Sequence, residues 1–162
     1  MAGSIEWLLL AYRLPREPST PRIAVWRKLG SLGVLKIGDG LVALPAGARS
    51  QEQLEWIADE IADAGGEATL WRSRLTSVRA ERALVDRMAG SIAAEYRRVI
   101  AAAADARRSG RAMKSVVARL RRDLRRISQR DYFPPPEREQ ARLAVESLAA
   151  ELPSPMPGQA RP

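Results

Sequence analysis

The chain has 162 residues, a size typical of one domain, and a formal net charge of +8. It contains no cysteine and no histidine, which excludes disulfides, thiolate metal sites, cysteine nucleophiles and the commonest general base at neutral pH. The apolar run Trp7–Ala11 is too short for a signal peptide or a membrane span, so we expect a cytoplasmic protein with no membrane partner.

The beginning of the chain predicts a strand followed by a helix. Residues 5–14 combine aliphatic and aromatic side chains in a run typical of a central strand. Thr20 followed by Pro21 predicts a helix start, because the hydroxyl can cap free amide groups and the fixed φ of proline suits the first turn. Apolar residues at helical spacing continue to Leu32, and Gly33 can end the helix.

A hairpin, a second helix and a fourth strand are predicted next. The apolar runs 34–37 and 41–44 flank Gly38-Asp39-Gly40, a turn that lacks the lysine of a phosphate loop, so we assign it no chemistry. Ser50 predicts the cap of the second helix, and residues 67–75 predict the fourth strand. The order predicts an α+β fold with a ferredoxin-like βαββαβ head, in which both helices cover one sheet face and the other face is open to a partner.

The remainder of the chain is predicted to be helical. Helices are expected over 78–106, 112–130 and 137–152, with the proline-rich strap Asp131–Pro136 before the last of them. The predicted organisation is a ferredoxin-like domain at 1–76, a long-helix C-terminal region at 77–152 and a disordered tail at 153–162.

The positive charge is confined to one stretch of the sequence. Residues 1–75 hold nine basic and nine acidic residues, whereas residues 107–130 hold ten basic residues and one acidic residue. Guanidinium groups suit phosphate, and a cationic helix binds DNA by releasing counterions. We predict a DNA-binding segment made of Arg107, Arg108, Arg111, Lys114, Arg119, Arg121, Arg122, Arg125, Arg126 and Arg130.

The alternative is a solvated helix whose arginines are paired inside the molecule. Candidate partners are the acidic second helix and the carboxylates Glu137, Glu139 and Glu146. The nucleic-acid interpretation is favoured because a single acid among eleven charges leaves most of the arginines without a local partner.

A second candidate site lies in the loop before the first helix. Free amide groups and the positive end of a helix dipole suit an oxyanion, and the loop adds arginines and hydroxyls. The candidate oxyanion-binding residues are Arg13, Arg16, Ser19, Thr20 and Arg22. The alternative is a capped turn that prolines merely stiffen.

No catalytic machinery is visible in the sequence. The carboxylates are scattered, no pair has the spacing of an acid–base couple, and no fingerprint of a flavin, nicotinamide or metal site appears. We therefore expect a protein that is not an enzyme and that has no cofactor. The four tryptophans, Trp7, Trp26, Trp56 and Trp71, are predicted to lie in the core.

Three stretches resemble one known family. Trp7–Pro45, Gln53–Trp71 and Leu120–Glu139 are similar to the N-terminal domain of the bacterial chromate resistance protein ChrB. The resemblance implies a chromate-responsive transcriptional regulator of a chromate efflux operon. Longer family members continue into a C-terminal domain, which this sequence is expected to lack.

The resemblance and the charge pattern together give the expected partners. These are operator DNA, chromate or a similar oxyanion as effector, and a second copy in a homodimer. The alternative function is an interaction module that never touches DNA and docks on a separate C-terminal-domain protein or an acidic partner.

Overall fold

A computed structural model describes residues 4–110 and 114–152 of the chain. The elements in chain order are β1 (Glu6–Arg13), α1 (Ser19–Leu32), β2 (Leu35–Gly38), β3 (Leu41–Pro45), α2 (Ala48–Asp63), β4 (Glu67–Arg74), α3 (Val78–Arg108), α4 (Lys114–Ser128) and α5 (Glu137–Ala150). The chain divides into two compact units. The head comprises the residues up to Ala89 together with Arg130–Phe133, and the helical unit comprises Gly90–Gln129 and the residues from Pro134 onward.

The head is built on a four-stranded antiparallel sheet with the strand order β2-β3-β1-β4. Two α/β halves meet along the central strands β1 and β3, which confirms the ferredoxin-like arrangement. The predicted hairpin turn is also confirmed, because Gly40 adopts a φ of 71°. A Cβ at this position would lie 2.3 Å from the carbonyl oxygen of Tyr12, so only glycine fits the turn.

One face of the sheet is covered by α1 and α2. Residues paired directly across strands point to the same face, so Leu8 and Leu10 of β1 share a face with their β3 partners Leu44 and Val42. All four side chains are buried. They pack with apolar residues of the two helices, which are Val25, Leu29, Leu54, Ile57 and Ile61.

The opposite face of the sheet is open only in part, since Trp71 of β4 is exposed on it but the region around Trp7 is covered. Trp7 and Ala43 point to this face and are fully buried. The ring of Trp7 lies 6.0 Å from that of Phe133, and Met88 of α3 belongs to the same core. The sequence reading missed this cover because its residues come from segments distant along the chain.

The strap residues after α4 are bound to the head. The hydroxyl of Tyr132 donates a 2.8 Å hydrogen bond to the carbonyl oxygen of Leu32, at the end of α1. Burial raises the pKa of the Tyr132 phenol, although a hydrogen bond with Ser50 and the charge of Arg49 act in the opposite direction. Gly33 has a φ of 73°, which confirms its predicted role in ending the helix.

Neither predicted hydroxyl cap forms. Helix α1 begins at Ser19 with Pro18 in the N-cap position, and α2 begins at Ala48 with Gly47 in the N-cap position. Neither cap residue makes a side-chain hydrogen bond. Thr20 therefore lies inside the first turn of α1. Ser50 lies inside the first turn of α2, where it is buried against Tyr132.

The helical unit has a core of its own. Its buried residues come from the second part of α3, from α4 and from α5. Tyr96 and Leu120 are nearly inaccessible, as is Leu148. Helices α4 and α5 are in contact. The segment 153–162, predicted to be disordered, lies outside the described residues.

A candidate nucleic-acid interface and an oxyanion groove

Helix α4 separates its apolar and its cationic side chains. Val117, Leu120 and Ile127 are buried on one side, and the opposite side is exposed. At 3.6 residues per turn, the cations fall within one half of the helix surface. We call this surface the basic face, and it consists of Lys114, Arg119, Arg121, Arg122, Arg125 and Arg126.

Not every predicted DNA-binding residue belongs to the basic face. Arg107 and Arg108 end helix α3, where Arg107 binds Glu151 at 2.6 Å and Arg108 pairs with Asp105. Arg130 is half-buried in the head, and its Cβ would lie 2.8 Å from a Cβ added at Gly33. Arg111 lies outside the described residues.

Most of the basic face is left without a carboxylate. Arg126 donates a 2.8 Å hydrogen bond to Asp123 of its own helix. The other five cations are exposed, and within residues 4–110 and 114–152 no carboxylate lies at ion-pair distance from them. Among all the arginines of the basic face, Arg126 included, four pairs are spaced three or four residues apart, at which distance like charges destabilise a helix.

The carboxylates proposed as internal partners are bound to other arginines. Glu137 pairs with Arg97 at 2.6 Å. Glu139 and Glu146 both pair with Arg142, at 2.5 and 2.6 Å. The hydrogen bond from Arg142 lowers the pKa of Glu139 below its ordinary value. These acids therefore do not neutralise the basic face.

The oxyanion candidates are only partly brought together. Arg13, Ser19 and Arg22 line a groove of about 910 Å³ in the head. Arg16 and Thr20 are exposed and do not line it. The arginine of β1 is engaged, since Arg13 binds the carboxylate of Glu67 at 3.1 Å.

The groove has further polar residues that the sequence reading missed. Tyr12 and Lys36 line it, and Lys36 forms an exposed ion pair with Asp39 at 3.2 Å. Lys36 reaches the groove because the β2–β3 hairpin folds beside α1. No local pattern in the sequence indicated this juxtaposition. The groove therefore combines three cations, Arg13, Arg22 and Lys36, with one lining carboxylate.

Only one tryptophan is in the core, so the prediction for the other three is wrong. Trp7 is fully buried, whereas Trp26, Trp56 and Trp71 are 69%, 67% and 58% exposed. Trp26 also lines the groove. The helical spacing placed Trp26 and Trp56 near apolar positions, but in both helices the smaller aliphatic residues fill the space against the sheet.

The fold and these surfaces define an α+β protein with a ferredoxin-like head and a basic helix. The family model described as protein ChrB, N-terminal, matches residues 22–108, just over half of the chain. The chain belongs to this family, which associates it with chromate resistance. The match includes Arg22 and Lys36 of the groove and ends before α4.

The other comparisons add no relative. No curated protein and no solved structure shows significant similarity to the chain. Within the described ranges, no helix has both the length and the apolar content that crossing a bilayer requires.

Proposed function

We propose that the protein is a chromate-responsive transcriptional regulator that binds operator DNA through the basic face of α4. The observation that carries this proposal is the set of five neighbouring cations on α4 that have no carboxylate partner in the described part of the chain. Their mutual repulsion is relieved when phosphates replace water around them. Because the family is associated with chromate resistance, chromate resistance is the process that we propose the protein regulates.

Phosphate contact is the chemistry that the basic face supports best. Arginine can bind a phosphate with two parallel hydrogen bonds, and a row of arginines along one helix can follow the backbone of a duplex. Such contacts give affinity and orientation. Base readout would come from additional side chains that enter a groove of the DNA.

Chromate sensing is assigned to the groove of the head. Chromate is a tetrahedral oxyanion, and Arg13, Ser19 and Arg22 offer it charge and hydrogen-bond donors beside the start of α1. Arg16 and Thr20 are expected to contribute from the rim, since both are exposed in the same loop and first turn. In this proposal the protein binds chromate without transforming it and needs no cofactor.

The DNA-binding proposal is tested by removing charge from the basic face. R121Q/R122Q/R125Q should lose operator retention in a gel shift, and the salt dependence of log K should become shallower by about two to three. The matched control is R27Q/R79Q/R82Q, which removes the same charge from exposed positions of α1 and α3. Equal loss in both variants would show that net charge, and not the basic face, holds the DNA.

The sensing proposal needs a separate measurement. DNA binding is followed at constant ionic strength as chromate is added, with sulfate as the control oxyanion. R22Q should abolish the response to chromate and leave DNA affinity unchanged in its absence. A response to chromate that R22Q does not alter, or an equal response to sulfate, would overturn the assignment of the groove.

A further inference from the structure

Helix α2 carries a charged stripe of its own on the side that faces away from the sheet. Its exposed residues recur at three- and four-residue spacing, opposite the buried Leu54 and Ile57. We call this stripe the acidic face, and it consists of Glu52, Glu55, Trp56, Asp59 and Asp63.

The acidic face is as poorly neutralised as the basic face. Glu55 accepts a 2.8 Å hydrogen bond from Gln51. In the two described ranges, no cation lies within ion-pair distance of Glu52, Asp59 or Asp63. The nearby Glu60 differs, since it pairs with Lys28 on α1. Like charges along α2 therefore disfavour the helix, and no described cation neutralises Glu52, Asp59 or Asp63.

The two faces match in length and in chemistry. At 1.5 Å per residue, Glu52 to Asp63 spans about 17 Å and Lys114 to Arg126 about 18 Å. Trp56 is 67% exposed within the acidic stripe, and Ala118 leaves a shallow position among the arginines. An indole there can stack on a neighbouring guanidinium as a cation–π pair.

We propose that the acidic face of α2 in one copy of the chain docks on the basic face of α4 in a second copy. The occupant is a second copy because the same chain supplies two exposed helix surfaces of opposite charge and similar length. Each contact removes like-charge repulsion from both helices at once. In a symmetric dimer, α2 of each copy would contact α4 of the other copy, so that both surfaces of both chains are buried.

This docking would also regulate access to DNA, a consequence that rests on the proposed function. An acidic helix and a DNA backbone present negative charge to the same arginines, so the two ligands exclude one another. Self-association would keep α4 covered until operator DNA displaces the partner's α2. The docking itself does not depend on DNA binding and is tested without DNA.

The test uses two variants with reversed faces. E52R/E55R/D59R turns the four negative charges of the acidic face into a net positive charge, and R119E/R121E/R122E/R125E turns the six positive charges of the basic face into a net negative charge. Each variant alone should be monomeric in sedimentation at about 0.05 M salt, because its two faces now repel those of an identical copy. An equimolar mixture should recover the assembly of the wild type, because the basic faces of one variant meet the acidic faces of the other.

Controls separate docking from general charge effects and from misfolding. E17R/D86R/D105R makes the same change of charge at exposed positions outside α2 and should leave assembly unchanged. Circular dichroism melts establish that each variant folds, and the milder E52Q/D59N should show weakened assembly if E52R/E55R/D59R does not fold. A monomeric wild type at low salt, or a mixture that stays monomeric, would overturn the docking proposal.

DNA binding provides an independent readout of the regulatory consequence. E52Q/D59N leaves the basic face intact and should raise the apparent DNA affinity above that of the wild type. The gain is the reciprocal of the fraction of wild-type copies whose α4 is free, which is about tenfold where nine-tenths of the copies are paired. Assembly that is rescued in the mixture while no variant binds DNA would keep the docking proposal and refute the DNA-binding function.

Discussion

The substitution R122Q tests whether the arginines of the basic face destabilise the free protein, as expected for residues that serve to bind a ligand. Arg122 lies at the centre of the face, with Arg119, Arg125 and Arg126 three or four residues away. Each like-charge pair at this spacing costs about 0.2–0.5 kcal/mol. Replacement by glutamine, which has a similar helix propensity, should therefore increase the free energy of unfolding by about 1 kcal/mol at low salt.

The assay is thermal unfolding followed by circular dichroism. For a chain of this length, 1 kcal/mol corresponds to a rise in Tm of about 2–4 °C. The rise should shrink strongly at about 1 M salt, where the screening length is only about 3 Å. The protein must be dilute enough that Tm no longer depends on its concentration. A second copy bound to the basic face would otherwise raise the Tm of the wild type through contacts with Arg122.

The matched control is the same substitution on the neighbouring helix. Arg142 bonds two carboxylates, Glu139 and Glu146, of α5. R142Q should therefore lower Tm at low salt, with a sign opposite to that of R122Q. A decrease in Tm for R122Q, or an increase that salt does not affect, would refute the interpretation of the basic face as uncompensated charge.

Three further predictions concern the head. Y132F should lower the free energy of unfolding by about 1 kcal/mol, because the carbonyl oxygen of Leu32 loses its donor. The folded state raises the pKa of this phenol, so wild-type stability should decline as the pH rises above the pKa of the unfolded chain, near 10. Urea unfolding at several pH values should show a smaller decline in Y132F. G33A should cost about 1–3 kcal/mol in chemical denaturation, because φ is positive and the new Cβ would lie 2.8 Å from that of Arg130. In acrylamide quenching, W7F should remove the protected fraction of the fluorescence, since Trp7 is the buried indole.

Local chemistry made the order of the elements predictable. Gly38-Asp39-Gly40 and the short apolar runs on either side of it specify a hairpin. The apolar spacing in α2 and α4 specifies which side of each helix is buried. The βαββαβ order then leaves few topologies, and the observed strand order is the ferredoxin-like one.

Contacts between distant segments could not be read from local patterns. Phe133 covers Trp7 across a separation of more than a hundred residues, and nothing in a proline-rich stretch indicates that destination. The predicted caps also failed. Ser50 has the composition of a cap, but α2 begins two residues earlier, at Ala48, and Ser50 is buried inside the first turn.

The candidate site was predictable to the extent that it depends on charge. The contrast between residues 107–130 and the remainder of the chain located the cations of α4. Sequence composition could not distinguish Arg107, which is bound by Glu151, from Arg122, for which the described residues provide no carboxylate. Pairing depends on which helix ends meet, and that is a property of the folded chain.

The return of the chain to the head at Arg130–Phe133 has a practical consequence for making fragments. A fragment that stops before Arg130 would lack Phe133, whose ring contacts Trp7, and Tyr132, whose hydroxyl is hydrogen-bonded to the end of α1. Such a fragment would expose an indole and should aggregate or melt early. An expression design that keeps the head intact must supply these four residues, either by a shortened connection from Ala89 or as a separate peptide.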